Sequence, residues 1–222
     1  MTNWEAMEKR HSVRSYTDKK IEGAVLEQLA ATIAACNAEG GMNIQLCIDE
    51  PEAFTGGMAK YGRFVNVKNY IALVGPKGAD LEEKSGYYGE KIVLEAQSLG
   101  LNTCWVAMTY SKKNSTAKGG KNEKLLMVIA LGYGENEGVQ HKNKPMEDLH
   151  KADANMPEWF CNGVKAAQMA PTAINQQKFC FILEGNAVKA TAGRGFYVKT
   201  DLGIAKYHFE LGAEGADWHW AE

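Results

Sequence analysis

The chain is expected to fold as an α+β protein (α/β-like), with a central mixed sheet flanked by helices and built from two pseudo-repeated halves. Three observations lead there. Apolar segments with helical and strand periods alternate along the chain, glycines and prolines punctuate them, and an Ala-rich helix followed by an Asn/Gln strand entry occurs twice. Interleaved strands and helices of this kind pack as layers around a sheet.

Taken in order, Val25, Leu26, Leu29, Ile33 and Ala34 recur at helical spacing and predict a helix over 23–36, stopped by Gly40 and Gly41. Ile44, Leu46 and Ile48 alternate and predict a strand over 43–48. Residues 70–74 form a continuous apolar run closed by Gly75-Pro76, the pattern of a strand buried on both faces. Ile92, Val93, Leu94, Ala96 and Leu99 place a largely buried helix over 89–99, ended by Gly100. A further apolar strand covers 125–131 and closes at Gly132-Tyr133-Gly134. Residues 134–153 are polar and read as a long connection; a helix over 158–169, a strand over 179–183 and a helix over 201–211 follow.

The repeat has two parts. Asn43-Ile44-Gln45 precedes one strand and Asn175-Gln176-Gln177 another, each after an Ala-rich helix. Downstream, Gly89 to Trp105 has a counterpart in Gly203 to Trp218. Two similar halves about a pseudo-twofold axis follow, within one domain over 1–222 and with quasi-repeat halves at 1–150 and 151–222; chance similarity of two Ala-rich helices is the alternative.

Composition narrows the function classes. The 222 residues are 45% hydrophobic and 23% charged, with a formal net charge of -2. Ordinary globular usage and no basic excess argue against nucleic acid and membrane surfaces as partners. The start of the chain, with Trp4, Glu5 and Glu8, lacks the basic and apolar regions of a signal peptide, and no window has the roughly 20 apolar residues of a membrane span. Cys36, Cys47, Cys104, Cys161 and Cys180 are odd in number and form no Cys-x-x-Cys or Cys/His metal pattern. Buried reduced thiols, a cytoplasmic location and no metal are expected.

Four segments carry possible chemistry. Arg10-His11-Ser12-Val13-Arg14 sets two guanidiniums around a hydroxyl, a set suited to phosphate, although an Arg/Ser turn is also a common solvated feature. Ala170-Pro171-Thr172-Ala173-Ile174-Asn175-Gln176-Gln177 sits at a helix-to-strand transition. Its small residues allow close approach and its polar ones suit a polyol or heterocycle edge; it can equally be a helix stop. Gly86-Tyr87-Tyr88-Gly89-Glu90, a buried helix and Gly100-Leu101-Asn102-Thr103-Cys104-Trp105 suit a flat aromatic ring, or plain core packing. Gly132-Tyr133-Gly134 leads to His141, Lys142 and Lys144, two lysines that could close on an anion or lie in a solvated loop.

Together, the Arg-x-Ser-x-Arg start, the Ala-Pro-Thr-x-x-Asn-x-Gln segment, the Gly-Leu-x-Thr-Cys-Trp helix exit and the Gly-Tyr-Gly strand end resemble the FMN-dependent nitroreductase family across essentially the whole chain. The recognisable Pro-Thr segment stands at 170–177 rather than after the first helix, similar to a single-chain branch with a duplicated half. Lys178-Phe179 replaces the family's Pro-Trp, the second basic pair is lysine only, and 38–45 lack Pro-Ser. In that family a central sheet is flanked by helices and two subunits usually share each flavin.

The resemblance implies that Arg10, His11, Ser12 and Arg14 hold the FMN phosphate, with Lys142 or Lys144 assisting. It implies that Pro171, Thr172, Ala173, Asn175 and Gln177 contact the ribityl chain and ring. Ala107 and Met108 would offer backbone N–H groups toward flavin N5 and O4, and Arg63 a positive charge near N1 and O2. The expected activity is hydride transfer from NAD(P)H to a nitroaromatic or quinone-type acceptor, with chemistry carried by the flavin and no side-chain catalyst. In agreement, His11, His141, His150, His208 and His219 are scattered, and His208 reads as a packed or exposed helix residue. The partners are then nicotinamide and a small acceptor, with the chain a monomer of pseudo-twofold halves or a homodimer. Alternatives are a non-enzymatic flavin-binding or storage protein, and a same-fold flavoenzyme of other chemistry such as dehydrogenation or dehalogenation.

Overall fold

A computed structural model describes residues 1–152 and 156–221. The end of the expected polar connection, residue 153, lies outside the described residues. In chain order the elements are α1 (Asn3–Lys9), α2 (Gly23–Gly40), β1 (Gln45–Cys47), α3 (Gly57–Tyr61), β2 (Asn69–Pro76), α4 (Leu81–Ser98), β3 (Asn102–Val106), β4 (Glu123–Gly132), β5 (His150–Lys151), α5 (Glu158–Gln168), β6 (Phe179–Glu184), β7 (Ala187–Ala192), α6 (Val198–Gly212) and β8 (His219–Trp220). Short 3₁₀ turns intervene at 51–54, 112–114, 146–148 and 173–175. The α+β class is observed, with the strands in two four-stranded sheets. The chain divides into two compact units: an N-terminal unit of Lys9–Leu81 and Lys91–Gln140, and a C-terminal unit of Met1–Glu8, Glu82–Glu90 and His141–Glu222.

In the N-terminal unit the sheet order is β1-β2-β4-β3, antiparallel throughout. Side chains alternate across it, so Tyr70, Ala72, Val74, Val128 and Ala130 share one core cluster with Tyr16, Phe54 and Phe64. Ile71, Leu73, Ile129 and Leu131, which point the other way, are also fully buried. Burial of both faces is why 70–74 reads as an uninterrupted apolar run. The helix α2 closes as expected, with Gly41 in the left-handed region (φ 62) and its N–H donating to the Asn37 carbonyl.

In the C-terminal unit the order is β5-β6-β7-β8, mixed: β5 and β6 are parallel, β6 and β7 antiparallel, β7 and β8 parallel. Its core is aromatic. Phe209 of α6 packs 4.6 Å from Phe181 and 5.6 Å from Phe160 between ring centroids, with Trp218 at 5.1 Å. α5 and α6 approach closely because Gly163 faces the Phe209 ring and Gly212 faces the Asn162 carbonyl, where a Cβ would collide.

Several boundaries differ from the sequence expectation. α4 begins eight residues early, so Gly86-Tyr87-Tyr88-Gly89 is helix rather than a loop before it; Gly86 is there for close packing. The strand expected over 43–48 is only Gln45–Cys47, because Asn37 reaches back and takes both backbone groups of Ile44. Asn102–Val106, read as a helix exit with free N–H groups, is the strand β3 paired to β4. α6 starts at Val198, ahead of 201. β7 went unread because Ala-Val-Lys-Ala-Thr-Ala is weakly apolar, yet the Gly185-Asn186 link was a hairpin signal. The five cysteines are free; Cys36, Cys47 and Cys104 are buried, whereas Cys161 and Cys180 are only half-buried.

Candidate functional site

In the N-terminal unit the Arg10–Tyr16 segment is laid along β3. Ser12 bridges Thr103, and the Val13 N–H donates to the Thr103 carbonyl at 3.0 Å. Val65 N–H donates to the Arg14 carbonyl (2.9 Å), and Tyr16 N–H to the Val65 carbonyl (3.2 Å). The Tyr16 hydroxyl folds back to donate to the Val13 carbonyl at 2.7 Å. The Gly-Tyr-Gly motif supports this segment: a Cβ on Gly132 would stand 2.8 Å from the Tyr16 ring, the Tyr133 carbonyl accepts from Thr17 N–H, and Gly134 N–H donates to Asn102 Oδ1 at 2.9 Å.

Arg10, Ser12 and Arg14 all act on one buried group, the Cys104 thiol of β3. Burial pushes that thiol up, while the charge of Arg14, a hydrogen bond with Ser12 and the charge of Arg10 pull it down. Of the two guanidiniums, that of Arg10 is buried and that of Arg14 exposed. His11 is held beside them by its Nδ1, 3.2 Å from the Glu137 carbonyl, and by Gly138, whose φ of 71 leaves room for the His11 Cβ. Arg63, exposed and left-handed (φ 58), lies two residues before the Val65 that pairs with Arg14. Ala107, half-buried, and Met108, exposed, follow the last residue of β3. The expected residues Arg10, His11, Ser12, Arg14, Arg63, Ala107 and Met108 therefore belong to one unit and hang on the β3 strand and its partners.

The remaining expected residues belong to the C-terminal unit, where they brace one another. Gln177 is buried. Its Nε2 donates to the Lys142 carbonyl and to Asn175 Oδ1, both at 2.9 Å, and its Oε1 accepts from the Lys144 N–H at 2.9 Å. Asn175 Nδ2 donates to the same Lys142 carbonyl, and Lys144 Nζ to the Gln177 carbonyl at 3.0 Å. Lys144 is therefore engaged with the turn that follows Pro171, while the Lys142 side chain is exposed. Thr172 Oγ1 accepts the Gln177 N–H at 3.0 Å and closes this turn.

The turn holds an uncommon backbone. Ile174, Asn175 and Gln177 have φ of 48, 56 and 43. Asn tolerates this region, but a β-branched residue there is strained by about 1–3 kcal/mol. Ile174 is also 93% exposed, so burial does not compensate. What holds it is a residue the sequence reading missed. Asp201 of α6 is buried (3% exposed) and accepts from the Ala173 N–H at 2.9 Å and from Gln176 Nε2 at 2.7 Å. Burial raises its carboxyl to about 6, against the opposing pull of those two donors. The signal was present: a carboxylate in Thr200-Asp201-Leu202-Gly203-Ile204, an otherwise apolar helix start, needs a partner. Among the described residues no cluster of three His, Cys, Asp or Glu side chains is placed to hold a metal, and no helix is long and apolar enough to cross a membrane.

A family model described as "putative TM nitroreductase" matches residues 3–213. Among solved structures, a putative nitroreductase from Thermotoga maritima is 22% identical and aligns over 96% of this chain and 83% of its own, with a TM-score of 0.67. A putative NADH dehydrogenase/NAD(P)H nitroreductase from Parabacteroides distasonis is 19% identical over 68% of this chain and 98% of its own, TM-score 0.54. A putative nitroreductase in complex with FMN from Desulfovibrio desulfuricans is 15% identical over 70% and 98%, TM-score 0.53. At these identities the structures speak for the fold. No curated protein matches the chain.

Proposed function

The chain belongs to the putative TM nitroreductase family, and from that premise we propose that it is an FMN-dependent oxidoreductase passing hydride from NAD(P)H to a nitroaromatic or quinone-type acceptor. The observation that carries the reading is the Arg10-His11-Ser12-Val13-Arg14 segment laid along β3, which puts two guanidiniums and a hydroxyl within five residues of one another beside that strand. A phosphate monoester, with close to two negative charges and several acceptor oxygens, fits two guanidinium forks and a hydroxyl donor. Solved relatives of the same fold are complexes with FMN.

Bound FMN would supply the two-electron step, since hydride transfer is the cofactor's own chemistry. The chain's residues bind and orient. Arg10 and Arg14 hold the phosphate, Ser12 donates to it, and His11, fixed by Glu137 and Gly138, lines the approach. The Ala107 and Met108 N–H groups and the Arg63 guanidinium are the donors assigned to the ring, where they would stabilise negative charge developed on reduction. Within the C-terminal unit, the turn at Pro171, Thr172 and Ala173 is a flavin contact proposed in its own right, with Asn175, Gln177, Lys142 and Lys144 setting its shape.

The purified chain should be yellow and release FMN on heating. It should oxidise NADH or NADPH in the presence of nitrofurazone or menadione. A colourless preparation that takes up no added FMN defeats the reading; one that binds FMN but oxidises neither nicotinamide is a flavin-binding protein rather than a reductase.

A further inference from the structure

We propose that Asp201 is a positioning residue that holds the Thr172–Gln177 turn, with its left-handed and exposed Ile174, in the shape presented to a bound ligand. The contact of this turn with FMN rests on the function proposed above; the hold of Asp201 on the turn does not.

Three observations carry it. First, one carboxylate reaches two separate points of the turn, the Ala173 N–H through Oδ1 and the Gln176 amide through Oδ2. Hydrogen bonds to an ionised acceptor are roughly twice as strong as neutral ones. Second, Gln176 Nε2 is shared with the Phe196 carbonyl at 2.8 Å, so the loop entering α6 is tied to the same point. That loop ends at Tyr197, itself left-handed (φ 57), and carries Phe196, 83% exposed. Third, the two large apolar side chains in this network, Ile174 and Phe196, are turned to solvent rather than to the core. A β-branched residue in the left-handed region gains neither backbone comfort nor burial. Backbone strain fixed by its neighbours in this way is characteristic of ligand sites. Asp201 sits on the helix side of the network, one turn into α6, and its buried carboxylate ties the Ala173 and Gln176 side to it.

Asp201→Asn tests the proposal with little change of shape. It keeps one acceptor and puts an N–H₂ where Gln176 also donates. In the chain without flavin, hydrogen exchange at the Ala173 amide should quicken severalfold, because its remaining acceptor is neutral and the Gln176 tie to the same side chain is lost. The urea midpoint should stay the same or rise, because a buried charge has gone. In FMN titrations the dissociation constant should rise severalfold, on the same scale. Gln176→Ala, which leaves the carboxylate in place, should give a smaller change in both, and Lys113→Ala should change neither. Wild-type exchange at Ala173 in Asp201→Asn overturns the proposal. Faster exchange with unchanged FMN affinity overturns its ligand half. A wild-type chain that takes up no FMN overturns the functional reading instead, and the exchange measurement then still decides whether Asp201 holds the turn.

Discussion

Gly86 of α4 and Gly203 of α6 are each indispensable to the other helix: a Cβ on Gly86 would overlap the Thr200 carbonyl, and one on Gly203 the Glu83 carbonyl. The contacts are reciprocal. The same built atoms would crowd the Ile204 and Tyr87 amides, and the offsets 83→200, 86→203 and 87→204 are all 117. Leu94 and Leu211, and Ala96 and Ala213, keep that offset along the sequence. The two helices thus meet through a symmetric, glycine-lined contact. In an exposed helix Gly→Ala gains about 1 kcal/mol. Here Gly86→Ala or Gly203→Ala should instead cost about 1–3 kcal/mol or more, by forcing two backbones apart. Urea denaturation measures this, and a raised midpoint in either variant would show that the helices do not touch there.

Much of the fold was legible because burial writes itself into composition. β2 and β4 announce themselves as apolar runs since both their faces are covered. What stayed hidden depends on partners distant in sequence. Gly86 looks like a loop residue until α6 is known to press on α4. Arg10, Ser12 and Arg14 could be chosen by residue type, but the strand they lie along, β3, is some ninety positions on and is reached through the pairing of Ser12 and Val13 with Thr103. Asn175 and Gln177 have the right chemistry for a ligand, yet their amides are engaged with each other and with Lys142 and Lys144, a division of labour that one-dimensional spacing does not contain.

His208 and Glu90 form a pair with side chains fully buried, Nε2 to Oε1 at 3.0 Å, while His208 Nδ1 lies 3.0 Å from the Ala166 carbonyl. A carbonyl only accepts, so the Nδ1 N–H donates to Ala166 and Nε2 is left to pair with Glu90. Removing one partner of such a pair leaves a buried polar group uncompensated. Glu90→Ala should therefore cost about 3–5 kcal/mol, the range for a broken buried pair. Glu90→Gln can still donate to Nε2 and should cost clearly less. Chemical denaturation of the two variants side by side separates them; equal losses would mean that Glu90 acts through packing alone.

Asp201 also sets a pH dependence of unusual sign. Its carboxyl is raised by burial from 3.8 to about 6. The folded chain then binds this proton more tightly than the unfolded chain, so protonation favours folding. The contribution is complete below about pH 4 and is lost as the pH rises toward and past 6, by at most about 3 kcal/mol. Asp201→Asn should flatten that part of the stability–pH curve. At the same time the Ala173 amide, losing an ionised acceptor, should exchange faster at pH 5 than at pH 7 once the intrinsic rates are divided out. Curves for wild type and Asp201→Asn that run parallel between pH 4 and 7 would remove Asp201 as their cause.

The arginine pair gives the most selective test of the phosphate assignment. Arg10 is buried at 3% exposure and Arg14 is exposed, so their electrostatics differ in screening. Arg10→Ala should weaken FMN by about 10–100-fold, the scale of one or two charge-assisted bonds, with little dependence on salt. Arg14→Ala should weaken it less, and the difference from wild type should shrink further as ionic strength rises, because an exposed charge is screened within about 10 Å at 0.1 M. Riboflavin has the same ring and side chain but no phosphate, so neither substitution should alter its affinity. Fluorescence titrations of both flavins at two salt concentrations read all of these. Equal losses for FMN and riboflavin would place Arg10 against the ring or the ribityl chain and leave the phosphate without its proposed anchor.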